Sequence, residues 1–239
     1  MAIIRAKTPD GKAYKLNESD EIHRGGEGKI LAIKNTPGLV AKIYHKNITP
    51  ISQAKFDFLS KLDKSLFVVP QELLLDEKTQ KIIGFTMEYI DHYFFPLSSI
   101  FGKNFCARRG IDQKFKRKIG EMLINAMHYA HKQQLVLGDF NQYNILINKR
   151  GELKLIDTDS YQVPGCPHTG IMLDDIRDYL YGGVVNRNSD YFALSVLVFY
   201  AFTFTHPFKG IHKKYKKISE RMIHKIPVFV SDPELKPPK

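Results

Sequence analysis

The stretch "LVLGDFNQYNILIN", residues 135–148, decides how this chain is interpreted. Two short apolar runs flank a polar loop that carries Asp139, Asn141 and Asn144. Asp and Asn are common in turns, so the simplest interpretation is a surface turn between the end of a helix and a strand. The alternative is a functional loop, and the rest of the sequence decides between the two.

The composition limits the classes of protein to consider. A chain of 239 residues that is 43% hydrophobic can form one large domain or two lobes with a shared cleft. It has no apolar run of about 18 residues, so we expect no membrane span. The start, "MAIIRAKTPDGK", lacks an apolar signal segment. Cys106 and Cys166 lie far apart and in no metal-ligand spacing, which indicates a reducing compartment and predicts a cytoplasmic protein.

The chain is basic, with a formal net charge of +11. Basic residues cluster in segments 103–118 and 209–225. Such clusters can attract nucleic acid, anionic lipid or acidic partners, but they more often form a solvated basic surface. We therefore expect at most weak, non-specific binding to nucleic acid. The sequence does not indicate an oligomeric state.

The first 90 residues have the pattern of a strand-rich lobe. Pro-Gly and polar turns separate short apolar runs, which predicts two hairpins. The predicted strands are 29–33, 39–44, 71–76 and 81–90. Between the hairpins, segment 49–62 has apolar residues on one helix face, and Pro50 stands near its first turn. A short joint near 88–92 ends this lobe.

The remaining residues, 91–239, have the pattern of a mainly helical lobe. Apolar residues at helical spacing predict a helix over 111–134. Segments 144–148 and 152–157 are predicted strands joined by a short turn, and 189–204 is apolar on most faces, as in a buried helix. The end of the chain, 227–239, is predicted to be an extended tail.

Four groups of residues follow one another in an order that suits phosphate and metal binding. Glycines in "IHRGGEGKI" (22–30) allow backbone amides to approach phosphate oxygens, although glycine pairs usually mark ordinary turns. Lys42 lies in an apolar strand, where it needs an anion unless its head reaches water. The third group is the loop of Asp139. If segments 144–148 and 152–157 form a hairpin, Asn144 and Asp157 meet at one end and offer hard oxygen ligands to Mg²⁺.

This order resembles the eukaryotic-type protein kinase superfamily, whose signature is a Gly-rich loop, a strand Lys, Asp-x-x-x-x-Asn and a later metal-binding Asp. The resemblance covers roughly residues 20–210. More narrowly, "RGGEG", "VAKIYH", "GDFNQYN", "IDTDSYQV" and "HPFKG" resemble bacterial Ser/Thr kinase domains associated with helix-hairpin-helix or tellurite-resistance modules. The resemblance implies an α+β, two-lobed kinase-like fold with a β-rich N-lobe (1–90) and a mainly helical C-lobe (91–239) that is truncated.

The resemblance also implies a role for each matching residue. Asp139 corresponds to the catalytic aspartate and Lys42 to the residue that holds the α/β-phosphates of ATP. Asn141 stands where a Lys usually contacts the γ-phosphate. Asn144 and Asp157 correspond to the ligands of Mg²⁺ or Mn²⁺. The implied ATP-binding residues are Ile22, Gly25, Gly26, Gly28, Ile30, Ala41, Lys42, Met87, Glu88, Ile90, Leu146 and Ile156. For each apolar residue in this set, plain core packing is the alternative.

The sequence departs from the kinase pattern at several positions. His23 replaces the first glycine of the loop, and Gly138 replaces the Arg before the catalytic aspartate. Asp-Phe-Gly reads Asp157-Thr158-Asp159, which adds an acid beside the metal site. The helix at 49–62 contains no Glu to pair with Lys42, and the nearest substitutes are Gln53 and Asp57. Because these two are equally plausible from the sequence, the choice between them stays open.

The function implied is ATP-dependent phosphoryl transfer to Ser or Thr hydroxyls of an unknown protein substrate. Two alternatives stay open: a pseudokinase that binds nucleotide or acts as a scaffold, and a kinase of small molecules or nucleic acids. Without an Arg at position 138, activity is expected not to require phosphorylation of segment 160–189. The hydroxyls concerned are Ser160, Tyr161, Thr169, Tyr179, Tyr181 and Ser189.

Overall fold

The computed structural model describes residues 3–179, 182, 184–229 and 232–238. The chain forms two compact units, Met1–His92 and Tyr93–Lys239. Each unit has its own sheet and its own buried side chains. Among the described residues, no helix combines the length and the apolar character needed to cross a lipid bilayer.

The first unit is built on an antiparallel sheet of seven strands. The strands are β1 (Ile3–Lys7), β2 (Ala13–Asn17), β3 (Glu21–Arg24), β4 (Gly28–Ala32), β5 (Leu39–Tyr44), β6 (Pro70–Asp76) and β7 (Ile82–Glu88). Their order in the sheet is β2-β1-β6-β7-β5-β4-β3. The four strands predicted from the sequence correspond to β4, β5, β6 and β7, which form the centre and one side of this sheet. No separate strand was predicted for β1 or β2.

Two glycines allow the neighbours of β5 to approach it closely. A Cβ added to Gly28 would lie 2.5 Å from the carbonyl oxygen of Ile43, and one added to Gly84 would lie 2.0 Å from that of Lys42. Real Cβ atoms do not approach backbone that closely, so both positions need glycine. These contacts fix the strand that carries Lys42 from both sides.

The core of this unit joins strands from both ends of the sheet. Tyr14 and Leu16 from β2 pack with Leu31 from β4 and Ile43 from β5. Burial of such side chains contributes roughly 1.5–3 kcal/mol each. The sheet therefore curls, and the core holds β4 and β5 in place.

Helix α1 (Gln53–Leu59) is shorter than the predicted segment 49–62. The helix begins after Ser52, so Pro50, which was predicted to stand near its first turn, lies just outside the helix. The Ser52 side chain accepts a hydrogen bond from the backbone N–H of Lys55 at 3.2 Å and so caps the helix. Ile51 is buried, but it lies outside the helix.

The second unit is mainly helical. Its helices are α2 (Lys103–Arg109), α3 (Gln113–Lys132), α4 (Arg187–Thr203) and α5 (Ile218–Ile223). Its strands are β8 (Phe94–Pro96), β9 (Ile145–Asn148), β10 (Leu153–Leu155), β11 (Ile211–His212) and β12 (Leu235–Lys236). Antiparallel β8, β9 and β10 form one small sheet, and β11 and β12 form another.

Helices α3 and α4 match the helices predicted at 111–134 and 189–204, and they pack on each other. Asn186 caps α4 by accepting hydrogen bonds from the backbone N–H groups of Asn188 and Ser189. Much of α4 is buried, as predicted. The two helices form the base on which the loop after α3 rests.

Two features of this unit differ from the simple sequence interpretation. Lys116, within the basic segment 103–118, is buried, with its Nζ 3.4 Å from the centroid of the Phe204 ring, and this burial lowers its pKa. Not all of that segment is therefore a solvated surface. The end of the chain includes β12, which pairs with β11, and α5 was not predicted.

Candidate functional site

In the first unit, the Gly-rich turn links β3 to β4 and is held by local hydrogen bonds. The N–H of Gly25 donates to the carbonyl oxygen of Gly28 at 2.9 Å, and Nε2 of His45 donates to that of Gly25 at 3.0 Å. A Cβ added to Gly26 would meet nothing within 4 Å. Gly26 is therefore a place where the fold leaves open space beside the backbone, as a phosphate-binding turn requires.

Lys42 is buried, with 5% of its surface exposed. Its Nζ forms an ion pair with Oε2 of Glu27 at 3.3 Å, so one partner of Lys42 comes from the Gly-rich turn. The substitutes expected from the sequence, Gln53 and Asp57, lie on the exposed face of α1 and bond to each other at 2.8 Å. Glu27 was not among the predicted partners, because strand register and side-chain direction, rather than spacing along the chain, bring it to Lys42.

The expected adenine-binding residues of this unit differ in exposure. Ala41 is fully buried and packs in the core of the sheet. Ile22 is 47% exposed, whereas Ile30 and the last two residues of β7, Met87 and Glu88, are partly buried. Ile30 lies directly opposite Lys42, and Val40 opposite Met87. Glu88 pairs with Leu39, and Ile90 follows the strand.

In the second unit, the loop between α3 and β9 holds Asp139 by its two neighbouring amides. Oδ1 of Asp139 accepts a hydrogen bond from Nδ2 of Asn141 at 2.8 Å, and Oδ2 accepts one from Nδ2 of Asn144 at 2.9 Å. Oδ1 of Asn141 accepts the backbone N–H groups of Tyr143 and Asn144, which fixes its orientation. The polar loop is thus a closed network and not a simple surface turn.

Burial raises the pKa of Asp139 above its usual value. The charge of Asp157 raises this pKa further, while the hydrogen bonds from Asn141 and Asn144 act in the opposite direction. A carboxylate of raised pKa is a stronger proton acceptor than an ordinary Asp. The loop therefore presents an oriented base.

The hairpin of β9 and β10 brings Asn144 to Asp157, as the sequence predicted. Ile145 pairs with Leu155, and the N–H of Ile156 donates to the carbonyl oxygen of Asn144 at 2.9 Å. Leu146 and Ile156 flank this hairpin end and are partly buried. Asp157 has a left-handed backbone, with φ of 59°. Non-glycine residues in this region are uncommon and often occur at functional sites.

The donor set fits a divalent cation. Nδ2 of Asn144 is used by Asp139, which leaves Oδ1 as an oxygen ligand. The carboxylate of Asp157 would supply a second oxygen ligand, and the buried Asp159 has a carboxylate oxygen within 4.8 Å of it. Oxygen ligands of this kind suit Mg²⁺, with waters and phosphate oxygens completing the shell.

A buried acid that was not predicted, Asp190, holds the loop between α3 and β9 in place. Asp190, in the first turn of α4, accepts the N–H of Leu137 at 2.9 Å and the N–H of Gly138 at 2.8 Å. It also bonds to Nε2 of His131 at 2.9 Å. The signal in the sequence was a lone acid at the start of an apolar helix, which a burial argument could have singled out.

Comparisons with known proteins agree with this geometry. A model of the RIO domain matches residues 40–177. Protein kinase YegI of Escherichia coli K12 is 27% identical over 230 residues, which cover 87% of this chain and 34% of YegI. Serine/threonine-protein kinase PrkC of Bacillus subtilis is 29% identical over 99 residues, which cover 38% of this chain and 15% of PrkC. The chain therefore spans about a third or less of the length of these curated relatives.

A solved structure shows the same fold. ROP2 from Toxoplasma gondii, described as a virulence factor with a protein-kinase fold and no enzymatic activity, superposes with a TM-score of 0.61. The two are 14% identical, and the match covers 87% of this chain and 69% of ROP2. These comparisons do not bear on the helix-hairpin-helix or tellurite-resistance modules, so that association stays a prediction. The chain belongs to the RIO domain family, within the protein-kinase superfamily, and has the α+β fold of a protein kinase.

Proposed function

We propose that this chain binds ATP with Mg²⁺ or Mn²⁺ and transfers the γ-phosphoryl group to Ser or Thr hydroxyls of a protein. The observation that carries the proposal is the Asp139 carboxylate, held on both oxygens by Asn141 and Asn144. Kinases act mainly by positioning and by stabilising charge, so an oriented acid beside a metal-binding hairpin is the arrangement they need.

Each group has a separate task in this proposal. Asp139 orients the acceptor hydroxyl and takes its proton, and Asn141 keeps that carboxylate in place. Asn144 and Asp157 would hold the cation, which when bound neutralises charge on the phosphoryl group. Lys42 and the Gly-rich turn would hold the phosphates. The apolar residues of β4, β5, β7 and the β9–β10 hairpin would contact the adenine.

A pseudokinase is the second candidate, and one specific observation favours it. The Glu27 carboxylate lies 3.3 Å from Nζ of Lys42, so it competes with a phosphate for that cation. ROP2 has the same fold and no enzymatic activity by its own description. In this candidate the chain binds nucleotide or a partner without useful turnover.

Two measurements separate these candidates. Saturating Mg-ATP should raise the melting temperature of the full chain, because a ligand that binds only the folded state stabilises it. Labelled ATP and Mg²⁺ should then label a generic acceptor protein. A thermal shift without labelling supports the pseudokinase, and the absence of both effects contradicts nucleotide binding altogether.

The division of roles has its own test. Asp157→Ala should remove the metal-dependent part of nucleotide binding, whereas Asp139→Ala should abolish transfer and leave most of the binding. Titration calorimetry with ATP, with and without Mg²⁺, measures the difference. Equal loss of ATP affinity in both variants would show that the roles are assigned wrongly.

The location and partner are also proposals. We infer a cytoplasmic protein that acts on another protein. The inference rests on the sequence, in which Cys106 and Cys166 are far apart and in no metal-ligand spacing. Cross-linking to acceptor proteins followed by mass spectrometry would identify the substrate.

A further inference from the structure

The ring of His168 lies against the loop between α3 and β9, residues 133–144, which is called the catalytic loop below because the proposed function assigns catalysis to Asp139. A Cβ added to Gly138 would lie 2.4 Å from Cδ2 of His168 and 2.9 Å from its Cγ, so the imidazole fills the space where a side chain at 138 would begin. A Cβ added to Gly170 would lie 3.0 Å from Nε2 of the same ring. His168 is therefore seated between two glycines, one on the loop and one on the segment after Asp157.

Backbone hydrogen bonds fasten the rest of this segment beside the same loop. Val136 and Gln162 exchange two backbone hydrogen bonds, at 3.0 and 2.9 Å. The N–H of Thr169 donates to the carbonyl oxygen of Ser160 at 3.0 Å. Segment 158–170 thus touches the loop at Val136 through its backbone and at Gly138 through the His168 ring.

Gly138 cannot carry the Arg that many kinases have at this position. Its φ is +67°, a conformation that side chains rarely adopt, and His168 occupies the adjacent space. In kinases regulated by phosphorylation, an Arg at this point binds a phosphate on the activation loop and so orders it. Here the segment reaches the loop with an unmodified side chain.

We propose that His168 is a positioning residue. Its ring clamps segment 158–170 onto the catalytic loop and holds the loop, without phosphorylation, in the conformation needed for phosphoryl transfer. This inference rests on the proposed function for its consequence in catalysis. Its conformational part concerns only the contact between the ring and the loop.

The exposure of the hydroxyls in the segment agrees with a clamp that needs no modification. Three of the six hydroxyls named from the sequence are buried: Ser160, Tyr161 and Ser189. The Ser160 hydroxyl donates to the carbonyl oxygen of Asp157 at 2.9 Å. Thr169 is exposed, Tyr179 is partly buried, and Tyr181 lies outside the described residues. Thr169 is therefore the exposed hydroxyl beside the clamp.

Hydrogen exchange tests the contact without any need for activity. In the full chain, His168→Ala should increase the exchange rate of amides in residues 136–141 by on the order of tenfold, since local opening becomes easier. His128→Ala is the matched control, because His128 is an exposed histidine on α3. The control should leave this peptide as in the wild type. Equal exchange in His168→Ala and the wild type would overturn the inference.

A second pair of variants keeps the test valid if His168→Ala folds poorly. Gly138→Ala should lower the melting temperature of the full chain, through backbone strain and collision with the ring. Adding His168→Gly should restore part of this loss, because the collision disappears while the strain remains. Losses that simply add in the double variant would refute a direct contact.

The catalytic consequence is measured on fully dephosphorylated protein, checked by mass spectrometry. The wild type and Thr169→Val should transfer phosphate at the same initial rate, with no lag. His168→Ala should reduce kcat by roughly tenfold to a hundredfold with little change in KM for ATP, as expected when a loop is misplaced. A wild type that shows loop protection but no transfer would contradict the proposed function and not the clamp. A wild type that becomes active only on phosphorylation at Thr169 would contradict the clamp.

Discussion

Replacing Asp190 tests how the fold holds the loop that carries Asp139. The Asp190 carboxylate is 1% exposed and accepts three hydrogen bonds, from the backbone N–H groups of Leu137 and Gly138 and from the ring of His131. Asp190→Ala removes all three acceptor contacts at a buried position. The loop that carries Asp139 then loses its fixed support.

The size of the effect follows from the groups left unpaired. A buried N–H without a partner costs about 1–3 kcal/mol, so two of them predict a loss of about 2–6 kcal/mol in the free energy of unfolding. Asp190→Asn keeps one carbonyl oxygen and should lose about 1–3 kcal/mol, because one N–H then faces an amide donor. Domains are commonly stable by roughly 5–15 kcal/mol, so a loss of this size removes a large part of the total.

Urea denaturation followed by circular dichroism gives the free energies, and hydrogen exchange reports the amides of Leu137 and Gly138 directly. The control is Glu121→Ala, which removes an exposed side chain that pairs with Arg117 at 2.9 Å. Such surface pairs contribute about 0–1 kcal/mol. If Asp190→Ala lost no more stability than this control, or if both amides kept their protection, the proposed support of the loop would be wrong.

Three further predictions follow from single residues or segments. Gly26→Ala should keep the wild-type melting temperature but weaken ATP binding in calorimetry. Gly28→Ala should instead destabilise the fold, because its Cβ would lie 2.5 Å from a backbone oxygen. Unchanged ATP binding in Gly26→Ala would exclude phosphate contact at that glycine. Burial raises the pKa of Asp139 above its ordinary value of 3.8, so protonation of this carboxyl favours the folded state. The stability that protonation contributes is fully present below pH 3.8 and is lost as the pH rises through the raised pKa. Between about pH 4 and pH 7, denaturation should therefore show the wild type losing stability relative to Asp139→Asn, and a constant difference would contradict the raised pKa. Nucleic-acid binding by segments 103–118 and 209–225, measured by fluorescence anisotropy, should be weak and fall steeply with salt; tight, sequence-selective binding at physiological salt would overturn this.

Local patterns were sufficient to predict most of the regular elements. The apolar run 39–44 is β5, with the same bounds as predicted. Helix α3 lies within the predicted segment 111–134, because its apolar face repeats at helical spacing and Asp112 caps its start. The predicted hairpin of 144–148 and 152–157 is confirmed, with β9 and β10 in antiparallel register.

Elements with weak or short patterns were harder to predict. Helix α1 begins at Gln53, later than the predicted segment 49–62, because the Ser52 side chain caps it there. Periodicity shows which face of a segment is apolar, but it does not fix the first residue of a helix. Short elements such as α5 and the β11–β12 pair contain too few residues for a period to be measured.

The sequence by itself determined the order of the groups proposed to bind phosphate, to act in catalysis and to bind a metal ion, and that order was enough to indicate a protein kinase. It did so because each motif is local: a loop, a strand residue or a hairpin end lies within a few residues of its neighbours. Only the tertiary structure decided which distant residues support these groups. Glu27 beside Lys42, Asp190 beneath Leu137 and Gly138, and His168 against Gly138 are contacts between separate elements. Such contacts depend on strand register, helix packing and backbone direction, so they cannot be predicted from spacing along the chain.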